Sequence, residues 1–79
     1  MVARVYVTLK PGVLDPAGKA VEGSLHALGF GKVSGVRLGK YIELQLPDGS
    51  RAEARAQVEE MCRKLLANTV VENFRVEIG

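Results

Sequence analysis

Residues Val2 to Leu9 alternate strictly: Ala3, Val5, Val7 and Leu9 share one side, while Val2, Arg4, Tyr6 and Thr8 share the other. A period of two with one apolar side predicts a half-buried strand. Pro11-Gly12 ends it. Asp15 then precedes Pro16, which reads as an N-cap followed by proline at the first helical position, where the missing N–H loses no bond. Ala17, Ala20, Val21, Ser24, Leu25 and Leu28 recur at helical spacing, and Gly29 stands where a left-handed residue ends a helix. Gly18 and Gly23 each lower helix propensity by about 1 kcal/mol relative to alanine. Their presence points to close approach of another backbone.

The stretch from Lys32 to Leu46 predicts two strands. Val36 and Leu38 point one way, Ile42, Leu44 and Leu46 do likewise, and Leu38-Gly39-Lys40 is the expected hairpin centre. Pro47-Asp48-Gly49 is a turn. Ser50-Arg51-Ala52-Glu53 matches a capping box. The second helix follows, with Ala54, Val58, Met61, Cys62, Leu65 and Leu66 as its core stripe. Glu59/Arg63 and Glu60/Lys64 are acid-first pairs four apart, the better orientation. Asn68 is the expected C-terminal cap, and Val70 to Ile78 the last strand, with Phe74, Val76 and Ile78 inward. The order βαββαβ predicts an α+β domain on the ferredoxin-like (split βαβ) plan: an antiparallel sheet with two helices on one face, spanning 1–79 as a single domain.

A 79-residue chain buries only about 60% of its unfolded surface and is marginal as a monomer. One cysteine and one histidine supply neither a disulfide framework nor a protein-only metal site. Oligomerisation is the remaining staple, so a homodimer or homotetramer is expected. Eleven basic and nine acidic side chains leave a net charge of +2. That balance argues against nucleic acid or an acidic membrane as partner. The chain enters a strand pattern at once and carries no long apolar run, which predicts no leader, no membrane span and a cytoplasmic protein.

No constellation of catalytic side chains emerges. Gly29-Phe30-Gly31 with Gly35 misses the dinucleotide fingerprint in spacing, and it leaves a helix where the fingerprint enters one. Cys62 lies in an apolar stripe without a base, so it reads as packing. His26 lies off the stripe of the first helix and reads as a solvated surface residue. Asp15, Asp48, Glu59 and Glu60 are accounted for as cap, turn and charged helix face. The expectation is no catalytic residue, no bound cofactor and no metal. Tyr6 and Tyr41, with Arg4, Arg37 and Arg75 around them, resemble a single-strand platform of an RNA-recognition motif. However, the central strand lacks that motif's paired aromatics and sets Glu43 beside Tyr41. The same residues suit a self-complementary oligomer interface through Val2, Tyr6 and Tyr41. A nucleic-acid-binding or small-ligand regulatory domain of the same fold stays open on composition alone.

Three segments together resemble one family: Leu9-Lys-Pro-Gly-Val-Leu-Asp-Pro-Ala-Gly18, Val36-Arg-Leu-Gly-Lys-Tyr-Ile-Glu-Leu44 and Met61-Cys-Arg-Lys-Leu-Leu-Ala-Asn-Thr-Val-Val-Glu-Asn73. They look like PurS, the small subunit of phosphoribosylformylglycinamidine (FGAM) synthase, in the family's order and spacing. Ala17, where glutamine is frequent, and Thr69, where proline is frequent, depart from the pattern. The resemblance implies a non-catalytic subunit of a purine-biosynthetic ligase. In such an assembly a glutaminase subunit releases ammonia, a synthetase subunit uses ATP and magnesium, and the small subunit docks one on the other. It further implies partner contacts near the matching motifs, for which Lys10, Arg37, Lys40 and Asn68 are the candidates.

Overall fold

In the computed structural model, which describes residues 1–79, the elements run β1 (Val2–Leu9), α1 (Pro16–Ala27), β2 (Gly39–Gln45), α2 (Arg51–Met61), a π-helical turn (Cys62–Leu66) and β3 (Glu72–Ile78). The sheet is antiparallel with β1 at its centre, in the order β2-β1-β3. The α+β class and the pairing of the outer strands on the first agree with the alternation in the sequence. The strand count differs: three strands form where βαββαβ required four. Residues 31–38 make no ladder, and Gly39 opens β2 opposite Thr8 instead of centring a hairpin. Gly35 at φ +66° takes the segment out of extended geometry, where a side-chain-bearing residue would be strained.

The second difference is where the helices sit. Only α2 packs on the sheet, against β1 and β3. Ala3, Val5, Val7, Val58, Cys62, Ala67 and Val76 form the buried cluster between them, with Phe74, Ile78 and Leu66 at its edge. Ile42, Leu44 and Leu46 on β2 are left half-covered. Helix α1 lies clear of the sheet. The molecule therefore measures 48 × 24 × 14 Å with a radius of gyration of 15.8 Å. A compact chain of this length has about 11.6 Å.

The helix ends form as their sequence signals require. Asp15 caps α1 through Gly18 N–H at 2.8 Å, and Ser50 Oγ accepts from Glu53 N–H at 3.3 Å. The outer face of α2 carries Lys64–Glu60 at 3.3 Å, Arg63–Glu60 at 3.6 Å and Arg63–Glu59 at 3.9 Å. Such exposed pairs contribute only about 0.3–0.5 kcal/mol each. Of the predicted core stripe, Ala54, Val58 and Cys62 are buried, but Met61 is 37% and Leu65 82% exposed. The Ala67 N–H donates to the Cys62 carbonyl, five residues back. That wider turn carries Leu65 past the core and sets Leu66 against it. Burial from the surrounding apolar groups pushes the Cys62 thiol up, so the thiolate needed for nucleophilic chemistry is disfavoured.

Val58 is fully buried at the centre of the single helix–sheet contact. Val58→Ala is expected to cost roughly 2–3 kcal/mol, two methyl groups plus the residual cavity. Urea unfolding at fixed protein concentration measures it. A loss below about 0.5 kcal/mol would mean that α2 does not hold the core.

Candidate functional site

Helix α1 and residues 33–38 make an arm that projects from the sheet. The segment runs back along the helix and is held to it by side chains at helical spacing. Asp15 Oδ2 accepts from Leu38 N–H at 2.9 Å, Glu22 Oε1 accepts from Val36 N–H at 3.2 Å, and His26 Nε2 donates to the Val33 carbonyl at 2.6 Å. Asp15, Glu22 and His26 lie seven and four residues apart, so they fall on one helix face. Gly18 lies on that face too, and a Cβ there would stand 2.5 Å from the Val36 carbonyl oxygen. This is the close backbone approach expected from the glycines of α1. It applies to Gly18 alone, since nothing lies within 4 Å of a Cβ at Gly23.

Asp15 is thus more than a cap. Its carboxylate is 6% exposed and serves two backbone amides at once. Those donors, Gly18 first and Leu38 second, hold its pKa below the ordinary carboxylate range. Glu22 is lowered likewise, chiefly by the Val36 amide. His26, expected to be merely solvated, ties the far end of the segment. The polar stripe Asp15, Gly18, Glu22, His26 was the signal in the sequence, on the flank of the apolar stripe.

Lys10, Arg37, Lys40 and Asn68 lie at one end of the sheet, where β1 finishes and β2 and β3 begin. The Lys10 amide donates to the Val71 carbonyl at 2.8 Å, and Lys40 stands opposite Val7. Arg37 has a folding task that its sequence context does not announce. Its guanidinium donates to the carbonyls of Leu9 and Lys10 at 3.0 Å and of Val13 at 3.1 Å, bracing the β1–α1 loop. Asn68 shapes the turn before β3: its side-chain oxygen accepts from Val70 N–H at 3.2 Å and its carbonyl from Val71 and Glu72. Lys40 is exposed and Lys10 half-exposed, and neither ammonium makes an ion pair.

Val2, Tyr6 and Tyr41 lie on the sheet face away from α2. Tyr6 and Tyr41 are register partners with ring centroids 5.1 Å apart and planes tilted by 45°. The Arg75 guanidinium sits 4.2 Å from the Tyr6 ring centre. Tyr41 OH donates to Glu43 Oε1 at 2.9 Å. A hydrogen bond to Glu77 raises the Tyr6 pKa, and desolvation followed by Glu43 raises that of Tyr41. Carboxylates at both ends of this aromatic pair oppose a phosphate backbone. No three of the chain's His, Cys, Asp and Glu side chains come together as a metal site, and no helix is long and apolar enough to cross a membrane.

A sheet-plus-arm shape with no converging reactive groups is the geometry of a connecting piece. The family model described as PurS: phosphoribosylformylglycinamidine (FGAM) synthase matches residues 2–79. The chain belongs to the PurS family. The PurS subunit of Synechocystis is 57% identical over 75 residues, 95% of this chain and 75% of that protein. The solved structure of Bacillus subtilis PurS superposes with a TM-score of 0.83 at 49% identity, covering 96% of this chain and 94% of that one. A chain in the structure of PurLQS from Thermotoga maritima gives 0.83 at 30% identity, over 98% and 96%. As a PurS chain it is a non-catalytic subunit of FGAM synthase, a ligase of purine biosynthesis.

Because the folded pKa of Asp15 is depressed, its contribution is complete above the ordinary carboxylate range and is lost as pH falls through the folded value. Amide exchange at Gly18 and Leu38 is therefore expected to accelerate together in acid, ahead of the β1 amides. Asp15→Ala should produce the same paired loss at neutral pH. Unchanged protection at Leu38 in that variant would show that the carboxylate does not tether the arm.

Proposed function

We propose that this PurS chain acts as a dimeric or tetrameric bridge that docks a glutaminase subunit on an ATP- and magnesium-using synthetase subunit, so that ammonia passes between them to formylglycinamide ribonucleotide. The whole chain serves as one such domain, in the cytoplasm, and binds no cofactor itself. The observation that carries this reading is the projecting arm on a sheet that lacks its second helix. An incomplete layer combined with a free amphipathic helix makes a module whose shape is finished only by partners. Holding two active centres in register turns ammonia transfer into an intra-complex step and keeps the intermediate from bulk water. The co-occurrence of a similar chain with two other subunits in the Thermotoga PurLQS structure supports the assembly.

The first partner is a second copy. On β2 the apolar residues Ile42 and Leu44 are half-covered beside α2, while Val21, Leu28 and Phe30 on and after α1 are 36%, 73% and 58% exposed. The α1 of one protomer fits the open seat over β2 of the other, restoring two helices to each sheet. The areas agree with this pairing. A compact protein of this mass exposes about 4,700 Å², whereas the chain exposes 5450 Å². The excess, about 750 Å², is close to the roughly 800 Å² that each partner contributes to a standard interface. Lys10 and Lys40, with Arg37 and Asn68 holding the loops around them, are assigned to contacts with the larger subunits.

Leu28→Glu is expected to shift the protein toward monomer in sedimentation equilibrium. Lys10→Ala combined with Lys40→Ala should leave the homo-oligomer intact and reduce capture of the glutaminase and synthetase by at least about tenfold. Capture at wild-type level by the double variant would remove the two lysines from the docking surface. Failure of the wild-type chain to bring down either subunit would reject the bridging role.

A further inference from the structure

The sheet face opposite α2 is built in cross-strand rows. Glu43, Arg4 and Glu77 stand side by side in register, and the next row is Tyr41, Tyr6 and Arg75. Beyond these lie Gln45, Val2 and Gly79 at one end, and Gly39, Thr8 and Asn73 at the other. Two carboxylates and one guanidinium give the first row a formal charge of −1, and the lone guanidinium of the second gives it +1. The two rows are adjacent and of equal width.

We propose that this face is a second interface between copies of the chain, separate from the α1 seat. In it two sheets meet face to face about a two-fold axis that crosses the strands at the level of Val5. An axis in that direction exchanges the two central rows between partners. The negative row of each copy then lies over the positive row of the other, with Glu77 opposite Arg75, Arg4 opposite Tyr6, and Glu43 opposite Tyr41. The end rows exchange too, setting Asn73 against Gly79, Thr8 against Val2, and Gln45 against Gly39. Each long side chain there meets a glycine or a small neighbour. The other in-plane axis, along the strands, would stack Arg4 on Arg4, so the charge pattern selects one orientation.

The surface is already organised for contact. Tyr6 and Tyr41 are packed on each other, Arg75 is held over Tyr6 with Nη1 3.4 Å from Glu77, and Tyr41 is hydrogen-bonded to Glu43. Little side-chain freedom remains to be lost on association. Tyrosine and arginine are the residues that most often anchor interfaces. The α1 seat lies on the opposite side of the sheet, so pairing through both faces turns an arm-linked dimer into a tetramer.

Complementary charge reversal tests the pairing. Arg75→Glu alone sets carboxylate against carboxylate at both symmetry-related 75–77 contacts. Glu77→Arg alone sets guanidinium against guanidinium. Each variant, with its fold checked by circular dichroism, is expected to weaken the mass-doubling step by at least about tenfold in sedimentation equilibrium. An equimolar mixture of the two places opposite charges at every such contact, so the larger species should return at near wild-type affinity. Leu28→Glu strikes only the arm and should leave this step in place, which separates the two surfaces. Three results would overturn the proposal: single variants that assemble like the wild type, a mixture no larger than its components, or loss of glutaminase or synthetase capture while self-association is untouched. The last result would give the face to a different subunit.

Discussion

The double acceptance by the Asp15 carboxylate decides where α1 goes. One oxygen caps the helix at Gly18 and the other holds the Leu38 amide just before β2 begins. With Glu22 on Val36 and His26 on Val33, the returning segment is bound to α1 along most of its length. A segment whose polar groups are committed to a helix has fewer left to add a strand to the sheet. The helix and segment then leave together as an arm, and the sheet keeps three strands under one helix.

The rest of the structure follows from that commitment. The core is small, with seven residues in its buried cluster, because only α2 presses on the sheet. The apolar stripe of α1 has no partner within the chain, and β2 keeps half-covered apolar residues on the α2 side. Every buried side-chain polar atom nevertheless has a hydrogen-bond partner. The incompleteness is therefore confined to apolar surface, which a protein partner can cover without leaving an unpaired polar group. PurS works by shape, and a chain that cannot close on itself is suited to holding other chains.

Much of this was legible in the order of residues, because local rules governed it. Asp15-Pro16 and Ser50 with Glu53 marked helix starts within one turn of themselves. Strict alternation in Val2–Leu9 and in Phe74–Ile78 gave both strand and face. What escaped was non-local. Val36 and Leu38 read as a strand because periodicity records which residues are apolar, and is silent on whether Glu22 and Asp15 will take their amides. Met61 and Leu65 read as core because a 3.6-residue period was assumed through a turn that widens to an i→i+5 bond. Arg37 reads as a spare surface charge in any window. Its three carbonyl partners lie 24 to 28 residues earlier in the chain.

The central claim is that this subunit contributes position instead of bond-making groups. Steady-state turnover of formylglycinamide ribonucleotide by reconstituted synthetase and glutaminase tests it most directly, run with and without this chain and with either glutamine or free ammonia as nitrogen source. The glutamine-supported rate should depend on the chain, the ammonia-supported rate should be far less sensitive to it, and the chain alone should turn over nothing. Equal glutamine-supported rates with and without it, or turnover by the chain alone, would contradict the account.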